Sequence, residues 1–489
     1  MEFGQTEWVL GVQLAYVVGI ISICLIVIFD TRSVSKTLAY LLLVIFVPIA
    51  GAIFYFSFGI NYRKRKIYSK KLIADGILAQ EASEKLKASN HKLFSSGNLS
   101  IDQNREMIQL LSNKKAGGNP ILPNNEVEIL LNGEAFFPLL MEELKKAKHH
   151  IHIQYYIYEN DTIGNQLKDL LIRKASEGVV VRFIYDDFGS KNIRGNIVKE
   201  LNRSGVRAVP FNKIKLLFLA NRLNYRNHRK IVDIDGKVAF TGGINVCDKY
   251  INNGKNDLFW RDTNVVIKGP AIFGLQQVFL SDWNFCSKEN LGIDRELFPI
   301  IPNNAQANAA VQVVSNGPDS DLPNILYAII QAIQLAKREV LITTPYYIPD
   351  GSLQQSLIIA ALSGVDVKLL VPKKGDSKLV NRATQAYFDE LLEAGVKIYL
   401  YEKGFVHAKT FVTDRRLASI GTANLDLRSF DLNFEVNAII YDEKTAIKLA
   451  ESFDDDLLVS EEITSENWNN RPRLRKLTER LVRLISPFL

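Results

Sequence analysis

The chain opens with two apolar runs that no charge interrupts. Trp8 to Phe29 carries no Asp, Glu, Lys or Arg, and neither does Thr37 to Phe58. Each run has 22 residues. As a helix at ~1.5 Å per residue it is long enough to cross a hydrocarbon layer of ~30 Å. The pattern predicts a two-helix transmembrane hairpin over residues 1–60, with spans at about 8–29 and 37–58. Glu2 and Glu7 stand where a cleavable signal would carry positive charge, and a second span follows at once. Arg63-Lys64-Arg65-Lys66 and Lys70-Lys71 lie just beyond the second span. Basic residues mark the cytoplasmic side, so the remainder of the chain is expected in the cytoplasm, on the inner face of a multi-pass anchor.

After the spans the pattern changes. Residues 61–120 are basic and polar, with a helical stretch over 79–87, and Gly117-Gly118-Asn119-Pro120 closes them. They read as a linker. Beyond it a strand-like run at 151–157, a helical pattern at 167–175 and a strand-like run at 178–184 follow in turn. The same order returns at 340–348, 353–362 and 364–370. β-branched strands alternating with helices predict an α/β fold, a mixed sheet flanked by helices. Two copies at so long a period mean two fused domains, 121–300 and 301–489, related by pseudo-twofold symmetry, rather than a solenoid.

Composition adds little to this. A net charge of +7 fits attraction to anionic lipid as well as ordinary surface lysine, and charge alone leaves nucleic acid open. Cys24, Cys247 and Cys286 have no framework spacing and ask for no oxidising compartment. Near the end, Arg473, Arg475, Lys476, Arg480 and Arg483 surround Leu474, Leu477, Leu481 and Leu484 at helical spacing. Such a helix either lies on an anionic membrane or packs on the protein body, and the pattern allows both.

The chemistry lies in a phrase written twice. His228, Lys230, Asp235, Gly242 and Asn245 recur 179 positions later as His407, Lys409, Asp414, Gly421 and Asn424. Each phrase predicts a strand, a tight turn at the Asp, and a return strand. His and Lys two apart share a strand face. The aspartates complete the phrase and are counted with its catalytic residues, although at turns they suit holding the backbone better than moving protons. Downstream, Asp262 with Asn264 and Glu435 with Asn437 repeat an acid–Asn pattern ahead of apolar runs. Acids so placed can hydrogen-bond an imidazole and set its tautomer. Two imidazoles, two lysines and two amides converging on one phosphate would suit attack by one ring and proton transfer by the other. Lysine supplies the positive charge, so no metal or other cofactor is expected. The cluster His149, His150 and His152 reads as the entry of an amphipathic strand rather than a ligand set.

The doubled H-x-K-x4-D-x6-G-G/T-x-N phrase resembles the phospholipase D superfamily. With the Asn224-Tyr225-Arg226-Asn227 lead-in, the Asn424-Leu425-Asp426-Leu427-Arg428-Ser429-Phe430 tail and the two spans, the chain is similar to the bacterial cardiolipin synthases within it. That resemblance implies phosphatidyl transfer between two phosphatidylglycerol molecules, giving cardiolipin and glycerol. It implies His228 as nucleophile, forming a phosphohistidine, and His407 as general acid and then base. Lys230, Lys409, Asn245, Asn424 and Thr422 would hold the phosphate, with Asp262 and Glu435 orienting the rings. Anionic membrane lipids are the expected partners, and nucleic acid is not. Gly243 stands where many superfamily members carry Ser, which would remove one hydroxyl from the phosphate site. The apolar run at 213–222, bounded by cations, suits a membrane-dipping loop. A phospholipase using water, a synthase using another alcohol, and a membrane-tethered nuclease stay open as alternatives.

Overall fold

The computed structural model describes residues 3–31, 34–59, 93–94, 97–212, 225–254, 258–287, 289–299 and 307–486. The expected helix at 79–87 and the apolar run at 213–222 lie outside these. The chain divides into two units, one holding the N-terminal helices and the other the body.

In the first unit, helix Phe3–Asp30 contains a segment, Trp8–Asp30, long and apolar enough to cross a membrane. The second expected span is not one helix. Val34–Phe46 stops, Pro48–Phe54 restarts, and a π-helical turn Tyr55–Gly59 follows. Proline has no N–H to donate and crowds the residue before it, and Val47 accordingly leaves the helical region, with φ −135° and ψ 66°.

Among the described residues, the body is built on a sheet of 15 strands with two small two-stranded sheets beside it. Its middle is the antiparallel pair Ile121–Leu131 and Ala309–Asn316. Outward from the first strand come Thr263–Lys268, Val238–Gly242, Ile231–Ile234, His150–Tyr155, Val180–Asp186 and Arg207–Phe211. Outward from the second come Glu435–Tyr441, Leu417–Gly421, Thr410–Thr413, Glu339–Thr343, Asp366–Pro372 and Lys397–Tyr401, with Ser460–Ile463 added at the edge. The two half-sheets run through equivalent strands in mirrored order, which is the pseudo-twofold relation expected from the repeat. Each half is mixed. His150–Tyr155, for instance, pairs parallel with Val180–Asp186 and antiparallel with Ile231–Ile234.

Several expectations change. Residues 97–116 are not linker. Helix Arg105–Ser112 buries Met107, Ile108 and Leu111 in one cluster with Ile325, Ile329 and Ala332 of the second half. The histidine-bearing strand His150–Tyr155 is not amphipathic, because both faces are covered. Ile151 and Ile153 join Leu167 and Leu171 in the core, while His152 stacks on Phe279, 4.5 Å between centroids, and meets Gln276 at 2.8 Å. Burial holds the His152 ring well below its ordinary pKa, so it packs as a neutral core side chain. The strands expected from His228 and His407 begin only at Ile231 and Thr410, because the residues before them pair with the opposite half.

Candidate active site

Each phrase enters the site on a segment pinned to the other half. The His228 N–H donates to the Phe434 carbonyl at 2.9 Å, and the Phe434 N–H donates to the Arg226 carbonyl at 2.9 Å. In the equivalent place, strand Gly404–Val406 pairs parallel with Phe259–Arg261, and the His407 N–H donates to the Arg261 carbonyl at 2.7 Å. Phe434 and Arg261 are the residues just before the two acids. The backbone register therefore sets each ring beside the acid of the opposite half, a pairing the sequence pattern left unassigned.

Side chains complete that exchange. His228 Nδ1 lies 2.9 Å from Glu435 Oε2 and 3.0 Å from the Thr422 carbonyl. His407 Nδ1 lies 2.7 Å from Asp262 Oδ2. All three partners accept, so both rings carry hydrogen on Nδ1 and leave the Nε2 lone pair free. Burial is the largest cause lowering both imidazole pKa values, so the rings are neutral. For His407 the nearby Lys409 and Lys230 charges push further in the same direction, and the shift is large. Tyr156 packs edge-on against His228, and Tyr250 and Trp260 against His407.

The lysines are buried beside the rings. Lys230 Nζ donates to the His228 carbonyl at 2.8 Å, and Lys409 Nζ donates to the His407 carbonyl. Burial brings Lys230 down to about 7 and Lys409 to about 8, opposed by Glu435 and Asp262. Lys409 also lowers Lys230, so the two ammonium groups feel one another. Burial raises Asp262 to about 6, and at neutral pH it remains an anion. Two lysines held well below their ordinary pKa and two neutral rings form a pocket that gains from an anion.

Other expected residues do different work. Asp235 accepts from the N–H groups of Lys148, His149 and His150, and Asp414 from those of Lys337, Arg338 and Glu339. Both sit at positive φ, 57° and 54°, in the hairpin turns. Their carboxylates clamp the start of a neighbouring strand, the backbone-holding role that their turn positions suit. The Thr422 hydroxyl donates to Glu435 Oε2 and so supports an acid, where the sequence placed it on phosphate. Asn245 donates to the Tyr250 hydroxyl at 2.7 Å, while Asn424 donates to Asp426 at 3.1 Å and its buried Oδ1 takes no hydrogen bond among the described residues. Gly243 has a steric reason. A Cβ there would stand 2.0 Å from Asp262 Oδ1, so the missing hydroxyl is room for the acid.

Two supporting pairs were missed. Arg229 makes two bonds to Asp282, at 2.7 and 2.8 Å, and donates to the Glu435 carbonyl at 3.2 Å. Arg261 bonds Asp456 at 3.0 Å across the halves and donates to the Asp262 carbonyl at 2.8 Å. No spacing signalled either pair, since Arg229 and Asp282 lie 53 positions apart and Arg261 and Asp456 lie 195 apart. Ala408 replaces Arg at the equivalent place in the second phrase, which hid the relation.

Mirrored half-sheets with a His and a Lys from each converging across the join define a two-domain phospholipase D-like protein. The family model described as "Cardiolipin synthase, PLD-like domain" matches residues 140–283 and 329–457, and "Phospholipase_D-nuclease N-terminal" matches 14–59. The chain is 40% identical over 484 residues to "Cardiolipin synthase" of Alkalihalophilus pseudofirmus, covering 99% of this chain and 95% of that one. It is 40% identical over 486 residues to "Major cardiolipin synthase ClsA" of Bacillus subtilis, covering 98% of each. A solved phosphatidylserine synthase from Haemophilus influenzae shares the fold, with TM-score 0.59 at 14% identity over 79% of this chain and 99% of that one. The chain belongs to the cardiolipin synthase family of phospholipase D-like proteins.

Proposed function

We propose that the chain transfers the phosphatidyl group of one phosphatidylglycerol to a second, forming cardiolipin and releasing glycerol. The observation that carries this is the pair of neutral imidazoles, each with Nδ1–H held by an acid of the other half, beside two buried lysines. His228 Nε2 attacks phosphorus and the bond to the glycerol headgroup breaks. His407 Nε2–H gives its proton to the departing oxygen. His407 then takes the proton of the second phosphatidylglycerol's hydroxyl as that oxygen attacks phosphorus and the P–N bond breaks. His228 suits the nucleophile's role because two acceptors fix its Nδ1–H. To serve as acid His407 takes up a proton on Nε2, which the anionic diester favours by offsetting the Lys409 and Lys230 charges that add to burial in lowering the ring's pKa. Asn245 and Asn424 would offer their remaining amide hydrogens to phosphate oxygens, beside the bonds they give to Tyr250 and Asp426.

The domain bounds 121–300 and 301–489 accompany this reading. So does a hairpin anchor in the bacterial inner membrane with the body on the cytoplasmic side, argued from Trp8–Asp30 and the basic cluster after residue 62. Lipids are the partners. The test is to incubate purified protein with phosphatidylglycerol and resolve the products. Cardiolipin with glycerol is expected, and phosphatidic acid without cardiolipin would sink transfer in favour of hydrolysis.

A further inference from the structure

The last helix, Arg473–Ile485, sits on the body the wrong way round for a soluble protein. Its inward side carries one apolar residue packed on the core, Val482, and is otherwise polar. Glu479, 2% exposed, bonds Arg471 at 2.9 Å and Arg475 at 3.2 Å, and Ser486 meets the Tyr387 hydroxyl at 2.8 Å, while at the exposed margin Arg483 reaches Glu390 at 2.9 Å. Its apolar side faces outward. Leu474, Leu477, Leu481 and Leu484 are 73, 53, 55 and 72% exposed. At about 100° per residue these four fall within an arc of roughly 80°, opposite Glu479 and Ser486. The helix cannot roll its leucines inward without pulling Glu479 from Arg471, which Asp389 also holds, and Ser486 from Tyr387.

What covers the leucines is indicated by charge. Arg473, Lys476 and Arg480 line one flank of the stripe, and beside the helix Arg475 borders a cavity of about 730 Å³ also lined by Lys374, Lys378 and Arg382. A second copy docking there would bring like charges together. Cations beside a narrow leucine stripe match an anionic phospholipid surface, with leucines among acyl chains and long side chains reaching the headgroups. We propose that Arg473–Ile485 is an interfacial helix that holds the catalytic body on an anionic leaflet, a second membrane contact independent of the N-terminal helices. It needs no particular reaction at the active site.

The test uses the full-length chain in nanodiscs, with Cys24, Cys247 and Cys286 changed to Ser and an environment-sensitive dye at Leu481→Cys. In discs of phosphatidylcholine with one-third phosphatidylserine, blue-shifted emission quenched by spin-labelled lipid is expected. Pure phosphatidylcholine or high salt should weaken it, and Arg473→Glu or Arg480→Glu should each weaken engagement at least about fivefold. A dye reporting water in anionic discs overturns the proposal. So does a shift that follows protein density and ignores lipid charge, which would mean self-association. Leu477→Ser with Leu481→Ser should raise KM for bilayer substrate and leave kcat in detergent unchanged, and an equal loss in both also overturns it.

Discussion

Gly243→Ser is the sharpest test of the site as built here. The added Cβ would stand 2.0 Å from Asp262 Oδ1, whereas an ordinary carbon–oxygen contact needs ~3.3 Å. The carboxylate must therefore retreat by about 1.3 Å, or the backbone must move. Asp262 has little freedom. Its Oδ2 holds His407 Nδ1 at 2.7 Å, and its Oδ1 accepts the Thr263 N–H at 2.7 Å. Misplacing a reacting group by 1 Å costs ~10²-fold, and losing the tautomer, as in a serine-protease triad, ~10⁴-fold. The expected fall in kcat thus lies between those limits, about 3 to 5 kcal/mol of barrier. The assay is turnover of phosphatidylglycerol, with thermal unfolding measured alongside. Gly195→Ala is the control, because nothing lies within 4 Å of its Cβ position, and it should keep full rate. A Gly243→Ser protein with wild-type kcat would refute the contact between this glycine and the ring-orienting acid.

Other outcomes follow from the same geometry. His228→Ala should abolish turnover, and His407→Ala should at most accumulate a covalent phosphatidyl-enzyme, detectable by mass spectrometry; product from His228→Ala at wild-type rate reverses the assignment. Lys230 at about 7 and Lys409 at about 8 should regain protons when an anion binds. The complex then holds more protons than the empty protein, so affinity falls and KM rises as pH climbs above about 7. Titration calorimetry with a non-cleavable phosphonate analogue in buffers of different ionisation enthalpy should show proton uptake at pH 8, and none would contradict the lysine placement. Asp282→Ala leaves Arg229 buried without its anion and should cost ~3–5 kcal/mol in chemical denaturation. Pairing it with Arg229→Met should restore much of that, and a double variant no more stable than the single one would show the ion pair is not what Asp282 supplies.

Much of the fold could be read from periodicity, and the reasons are local. The Val- and Ile-rich runs at 151–157 and 364–370 are strands because the sheet is covered on both faces there. The turns at Asp235 and Asp414 were legible from turn chemistry, and their positive φ values agree. Periodicity misled where a distant segment supplied the partner. His228 to Lys230 look like strand, yet their first hydrogen bond goes to Phe434, 206 positions away. Residues 97–116 look like linker because their apolar side is short, and it is buried by a helix more than 200 positions on. The second span looked continuous because hydropathy does not register what Pro48 removes. In the site, residue types were legible but their pairing was not. No spacing rule says that Glu435 serves His228, or that Thr422 serves Glu435 rather than a phosphate.

That pairing explains why the repeat is fused and complete. Each half packs its own core, the first around Phe183 and Leu167 and the second around Ile342 and Leu369. Neither half by itself gives its histidine an acid, because Glu435 and Asp262 are exchanged across the join. The exchange is carried by backbone as well as side chains: the parallel pairing of Gly404–Val406 with Phe259–Arg261, and the bridge between Asn227 and Phe434. A slip of one residue there would turn the acid away from the ring. The Arg229–Asp282 and Arg261–Asp456 pairs lock the same segments from behind, each with a donor on the carbonyl of the acid it supports. Docking the halves therefore creates the tautomers, and the two rings are made ready by one interface. The small departures from symmetry, Thr422 opposite Gly243 and Glu opposite Asp, are where two rings built alike acquire different surroundings. A longer acid braced by a hydroxyl serves His228, and a shorter acid seated over a glycine serves His407. If the two histidines divide nucleophile from proton carrier, that division is written in these four residues rather than in the phrase they share.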